Sequence, residues 1–223
     1  MTAALRRLRR PQAVIFDMDG LMLDTERLAP QAWSDAARAL GVEFDMAILP
    51  TMVGRNFADC RALVSARHGP AFPTDELMRA WHTAYDAIVA RDGIALKPGL
   101  LPLLDWLEGE AIPKGVATST RRDRARAKLQ QTGIAGRFSA LTGGDEIARG
   151  KPAPDIFLLA AQRMGHAPAG IVVLEDSEPG VRAALAAGMT PVMVPDLAPP
   201  SPALLALGVL VLDSLHDVPA RLA

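Results

Sequence analysis

The strongest constraint on the fold is a change of character along the chain. One apolar, β-rich run, Ala13 to Phe16, stands near the start and ends in Asp17-Met18-Asp19-Gly20. From about Thr25 to Arg91 only helical patterns follow. They cover Arg27–Leu40 before Gly41, Phe57–Arg67 before Gly69, and a third stretch capped by Thr74 or Asp75 and running towards Arg91. Gly93 and Pro98-Gly99 mark a boundary. Beyond it, strands and helices alternate. Helices are predicted over Leu100–Glu108, Arg121–Gln131, Pro154–Met164 and Pro179–Ala187. Strands are predicted at the end of Pro113–Thr118 and over Ser139–Thr142, Ile171–Leu174, Pro191–Val194 and Val209–Leu212. The Pro-rich stretch Pro195–Pro202 reads as a connection between strands. Alternating βα units predict a parallel sheet with helices on both faces. The helical block after the first strand predicts a domain inserted into a loop.

Composition narrows the partners. The 223 residues carry 24 basic and 25 acidic side chains, a net charge of −1, which argues against a nucleic-acid coat. Half of the residues are hydrophobic, so the chain can bury a core without disulfides or structural metals. Cys60 is the only cysteine, which excludes a disulfide framework, a thiolate zinc cluster and a CxxC pair. It agrees with a reducing compartment. No apolar run is long enough to cross a membrane. The start, Met1 to Pro11, is basic through Arg6, Arg7, Arg9 and Arg10, and lacks the apolar run of a secretory signal. It reads as a solvated tail. The expectation is a cytoplasmic protein without a nucleic-acid or membrane partner.

In open α/β sheets ligands bind beyond the carboxyl ends of the strands. There the sequence puts Asp17 and Asp19, then Thr118-Ser119-Thr120, then Glu175-Asp176-Ser177. Lys151 lies in a Gly-Lys-Pro turn before a helix. Two aspartates beside a glycine can bind calcium, form an Asx turn or act as paired catalytic carboxylates. The calcium loop fails on spacing: counted from Asp17, its fifth, sixth and twelfth places hold Leu21, Met22 and Leu28. As a nucleophile, a carboxylate attacking phosphorus splits one hard step into two. Its repulsion from phosphate must be cancelled. Magnesium on Asp17 and Asp176, with Glu175 close by, can do this. Lys151, Thr118 and Ser119 can hold the phosphoryl oxygens.

These four segments resemble, in order, the four motifs of the haloacid dehalogenase superfamily. They are Phe16-Asp17-Met18-Asp19-Gly20, Val116-Ala117-Thr118-Ser119-Thr120, Gly150-Lys151-Pro152-Ala153-Pro154, and Leu174-Glu175-Asp176-Ser177 with Gly180 and Ala186-Ala187-Gly188-Met189. The resemblance spans about Ala13 to Val194. It implies a Rossmann-like α/β parallel-sheet core, residues 1–24 and 94–223, with a small α-helical cap domain, residues 25–93. It implies that the strands of motifs one, two and four lie side by side. It implies Asp17 as nucleophile and Asp19 as acid and then base, with the Asp19 backbone carbonyl on the metal. Thr118 and Lys151 would bind the phosphoryl group, and Asp176, with Glu175 less firmly, would bind Mg2+.

Within the superfamily, the dehalogenases lack an aspartate at the place of Asp19, so phosphoryl transfer is expected, since an alkoxide leaving group needs a proton. No lysine lies between Glu26 and Arg91, which argues against the Schiff-base phosphonoacetaldehyde hydrolases. The β-phosphoglucomutase branch shares Leu23-Asp24-Thr25 and Trp33, but its usual histidine is replaced here by Ala29, and its cap lysine is missing. A magnesium-dependent phosphatase acting on a small phosphorylated metabolite is therefore expected ahead of a mutase. A catalytically idle binding subunit is the third reading, and it conflicts with the intact motifs. Arg55, in Val53-Gly54-Arg55-Asn56, is the cap's candidate for substrate contact. Trp81 and Tyr85 share a helix face and read as core packing. Cys60 reads as a small buried hydrophobe. His68, His166 and His216 show no ligand spacing, and Arg121 and Arg122 read as a solvated helix start. By family resemblance the chain is expected to be a monomer.

Overall fold

The computed structural model describes residues 8–222. Arg6 and Arg7 of the basic tail lie outside the described residues. From Leu8 the chain is tied down: its N–H bonds to the Arg221 carbonyl, and Arg10 pairs with Glu110.

The sheet grows from β1, Ala13–Phe16, whose four residues are fully buried. An all-apolar strand has no face for water, so it must sit mid-sheet with helices on both sides. The other strands are β2 (Lys114–Ala117), β3 (Ala140–Thr142), β4 (Ile171–Glu175), β5 (Thr190–Met193) and β6 (Leu210–Val211). All pairings are parallel, in the order β3-β2-β1-β4-β5-β6. Phe16 is opposite Val116 on one side and Leu174 on the other. The residues that follow these three strands therefore emerge together.

The helices are α1 (Ala29–Leu40), α2 (Phe57–His68), α3 (Thr74–Asp92), α4 (Leu100–Gly109), α5 (Arg122–Gln131), α6 (Asp155–Met164), α7 (Glu178–Ala186), and the short α8 (Pro202–Leu205) and α9 (Pro219–Leu222). Val14 and Phe16 pack into a core with Leu100, Leu103, Leu104 and Leu107 of α4 and Leu129 of α5. Ala13 and Ile15 meet Ile156, Phe157 and Ala160 of α6 and Ala183 and Ala184 of α7 on the other face. Expected boundaries move by a residue or two. Pro154 falls at the N-cap of α6 instead of within it, and Ser201 caps an extra short helix where only a connection was expected.

Helices α1 to α3 form an inserted helical cap with apolar centres of their own. Trp33, Ala36, Ile48, Met52, Val64, Leu77 and Met78 make one, and Ala32, Tyr85 and Ile88 a second. A 3-10 turn at Met46–Thr51, absent from the sequence expectation, carries the chain from α1 towards α2. The chain enters and leaves the cap side by side. Leu23 bridges Leu96, Asp24 N–H bonds to the Ala95 carbonyl and Lys97 N–H to the Met22 carbonyl.

Candidate active site

Asp17 follows β1 with its N–H on the Leu174 carbonyl, so the neighbouring strand fixes where its side chain starts. The Lys151 ammonium, 1% exposed, donates to Asp17 Oδ1 and, at 2.5 Å, to Glu175 Oε1. The other Glu175 oxygen accepts from Ser177 N at 3.0 Å and Ser177 Oγ at 2.9 Å. Ser177 also caps α7, accepting from Gly180 N. Gly180 is required by close approach, because a Cβ there would run into the Glu175 carboxylate. Gly20 has φ +85°, and a Cβ on it would strike the Asp176 carboxylate.

Ligand atoms of Asp17, Glu175 and Asp176 lie within 4.8 Å of one another, all in buried residues. Burial pushes Asp17 up to about 8, with Lys151 opposing and Glu175 adding to the rise. Burial, then Glu175 and Asp17, raise Asp176 well above the carboxylate range. Three carboxylates thus face one ammonium, an excess of negative charge that an oxygen-seeking divalent cation would offset. The donors fit such an ion.

Asp19 lives differently. Its Oδ1 accepts from Lys128 Nζ at 2.6 Å and Thr25 Oγ1 at 2.8 Å. Its Oδ2 accepts from Thr120 Oγ1 at 2.7 Å, with Thr118 Oγ1 at 3.5 Å. Burial pushes Asp19 upward, but the charge and hydrogen bond of Lys128 and the bonds from Thr120 and Thr25 outweigh it and hold it below its ordinary value. Glu26, on the same cavity, is pushed up to about 7 by burial and then by Asp19.

Lys128, Thr25, Thr120 and Glu26 were not singled out as site residues by sequence reasoning. A search for a lysine within the cap misses Lys128, because α5 of the core delivers it to the boundary, where it also lies 5.0 Å from the Tyr85 ring centroid. A usable signal was scarcity. The chain has only four lysines, and each makes an ion pair with its own side chain at most 17% exposed.

The cap rests on the core at this site. Ser119 Oγ donates to the Gly54 carbonyl at 2.9 Å, so its hydroxyl serves the cap loop. Arg124 pairs with Asp86 of α3. Arg55 lines the cavity while its Nε donates to the Thr51 carbonyl at 2.8 Å, closing the 3-10 turn. The cavity between core and cap, about 580 Å³, runs from Asp17 and Asp19 to the cap helices. Trp81 and Tyr85 stack on each other, with centroids 5.1 Å apart, and both line it, so they pack the cap and face the site together. Cys60 lines it too. Burial and then Asp59 push its thiol up to about 12. His68 stacks against Phe44 and Phe72.

A parallel α/β core with buried, mutually perturbed carboxylates and lysines at its strand ends, beneath an inserted helical cap, has the layout of an enzyme active site. The chain belongs to the haloacid dehalogenase-like hydrolases, whose family model matches residues 11–188. It is 34% identical over 181 residues to hexitol phosphatase A of Escherichia coli, covering 80% of this chain and 81% of that one. It is also 34% identical over 188 residues to the fructose-1-phosphate phosphatase YqaB of the same organism, covering 83% and 97%. The solved structure of CbbY from Rhodobacter sphaeroides in complex with phosphate superposes with a TM-score of 0.80 at 29% identity, covering 93% of this chain and 96% of that one. In class the enzyme is a phosphoric monoester hydrolase. Among the described residues no helix is long and apolar enough to cross a membrane.

Proposed function

We propose that the enzyme hydrolyses a small phosphorylated metabolite with Mg2+ through an aspartyl phosphate on Asp17. The observation that carries this reading is the pair of aspartates two residues apart in opposite surroundings, Asp17 among carboxylates and Asp19 among donors. The related phosphatases named above, acting on hexitol phosphates and fructose 1-phosphate, support the substrate class. The division into core, residues 1–24 and 94–223, and cap, residues 25–93, is part of the reading, with the Leu23–Leu96 bridge as its seam.

In this mechanism Asp17, Asp176 and the Asp19 backbone carbonyl would hold the magnesium ion. We assign Glu175 to anchoring Lys151, since both of its oxygens are already bonded. The bound ion supplies charge neutralisation between the Asp17 carboxylate and the phosphoryl oxygens. Lys151 and Thr118 orient the phosphoryl group, and Ser119 holds the cap loop. Asp17 Oδ attacks phosphorus while the ester oxygen leaves. Asp19 is held ionised by Lys128, the form that activates water in the second half. The incoming phosphate's negative charge raises its proton affinity, so Asp19 carries a proton for the leaving oxygen in the first half.

The test is phosphate release from a panel of sugar, sugar-alcohol, nucleotide and glycolate phosphates, with magnesium, with EDTA and with Asp17→Asn. Metal-dependent release, lost in the variant, together with a phosphoryl adduct on Asp17 in acid-quenched protein, is the expected result. Release that survives Asp17→Asn overturns it. Lys128 supports one competing reading, because it brings an amine to the cap boundary where a mutase would use one. Conversion of β-glucose 1-phosphate only in the presence of a bisphosphate primer would establish that alternative.

A further inference from the structure

The cavity has two unlike halves. Its floor, around Asp17, Asp19 and Thr118, is charged and hydroxylated. Its roof is mainly apolar and aromatic, built from Trp33, Met46, Phe57, Met78, Trp81 and Tyr85, with Arg55 and His82 as its polar members. The chain has ten Phe, Trp and Tyr residues, and four of them line this one cavity. Leu197 adds an apolar group from the core side, on a loop fixed by the 2.6 Å Lys97–Asp196 ion pair. Met46, Phe57 and Leu197 are 38%, 40% and 52% exposed, so the apolar lining continues to the mouth.

Three residues of the cap side also carry polar atoms, Trp81 Nε1, His82 Nδ1 and Tyr85 Oη, that are buried and find no hydrogen-bond partner among the described residues. Burial and then Arg124 hold His82 below its ordinary value, so the imidazole is neutral near pH 7. Phe57 stacks on it with centroids 5.0 Å apart.

A bare polyol suits this roof poorly. Each hydroxyl stripped of water against an apolar wall costs roughly 1–3 kcal/mol. A flat ring gains contact with aromatic faces and methionine sulfur. We propose that the substrate is a phosphomonoester whose alcohol carries a flat aromatic ring, with the phosphoryl group on the floor and the ring against Trp81, His82 and Phe57. A cavity of about 580 Å³ has room for such a molecule. The proposal rests on the hydrolase reading of the same site and narrows its substrate.

The test compares ribose 5-phosphate with ribonucleoside 5′-monophosphates, which share the ester carbon and differ in the ring. At least one ring-bearing ester should have a kcat/KM higher by about tenfold or more, the scale of one buried aromatic contact. Phe57→Ala, at a part-exposed position that does not threaten folding, and Trp81→Leu should each narrow that ratio. Ribose 5-phosphate or sugar-alcohol phosphates hydrolysed equally well or better would overturn the proposal while leaving the hydrolase reading intact. Calorimetric binding to Asp17→Asn separates the two further. Ring-selective binding with no turnover of any ester by the native enzyme would sink the hydrolase reading and keep the ring site. Equal binding of the ring-bearing and ring-free phosphates would sink the ring site.

Discussion

The floor and the roof of the cavity are built by different physics. The floor is made by strand ends. β1, β2 and β4 are adjacent and in register, so side chains far apart in sequence start from fixed neighbouring points. Its groups are mostly charged and buried, with Asp19, Lys151 and Glu175 tied in by hydrogen bonds. The roof is made by helix faces and a 3-10 turn whose positions depend on the cap's own apolar centres. The floor therefore tolerates little change in any residue, whereas the part-exposed roof residues Met46 and Phe57 lie outside the cap's apolar centres and can change while its packing is kept. In the proposed mechanism, chemistry resides in the first and choice of substrate in the second.

The comparison can be broken at the floor first. Asp17→Asn should lower kcat by about three orders of magnitude or more, as loss of a covalent nucleophile does, with the far-UV circular dichroism unchanged. Near-native turnover would refute its role. Lys151→Met should then destabilise the fold by about 3–5 kcal/mol in urea unfolding, because Asp17 and Glu175 lose their buried counter-charge. A loss below about 1 kcal/mol, the worth of an exposed pair, would contradict that burial.

Metal should act through the same carboxylates. Asp17 is raised to about 8 and Asp176 is also raised. An acid raised on folding contributes stability fully below its unfolded pKa, and loses it as pH climbs through the folded one. The metal-free protein should thus weaken between about pH 4 and pH 8 on account of this pair. Magnesium needs the ionised forms, so its stabilisation should grow from pH 5 to pH 8. It should reach about 2.7 kcal/mol at a hundredfold excess over Kd. Thermal shifts with and without magnesium at the two pH values measure it. Equal shifts would count against this ligand set.

Lys128→Met should sharpen the contrast between the two aspartates. Asp19 loses its ammonium partner and its pKa rises, so the acidic limb of the pH–rate profile should move to higher pH. Turnover should fall by about 10- to 100-fold, at the low end of an acid–base contribution. Smallest is Ser119→Ala, which removes one bond between core and cap. An effect of about 1 kcal/mol is expected, seen as a severalfold rise in KM with kcat little changed.

Much of the floor was legible beforehand because its motifs are local. An apolar run followed by Asp-x-Asp, or Leu-Glu-Asp-Ser leading into a helix, tells both where a strand stops and what it presents. Lys151, Glu175 and Asp176 came together as their motifs implied. The partners of Asp19 were not legible in the same way. Thr25 follows a turn, Thr120 closes the second motif but was given no role there, and Lys128 sits in a polar helix whose solvated and site-facing positions look alike in sequence. Ser119 shows the converse: a hydroxyl beside Thr118, within the same motif, that is turned to the cap.

By itself, then, the sequence determined the sheet core, the helical insertion and the order of carboxylates, hydroxyls and lysine along the strand ends. Hydrophobic runs and turn residues act over a few positions, and those properties need nothing more. Only the tertiary structure decided which lysine meets Asp19, which serine holds the cap, and that the space above the carboxylate floor is lined by aromatic rings. Those outcomes depend on how α3 and α5 pack across the seam between cap and core. Contacts between distant segments are set by that packing and by the burial of charge.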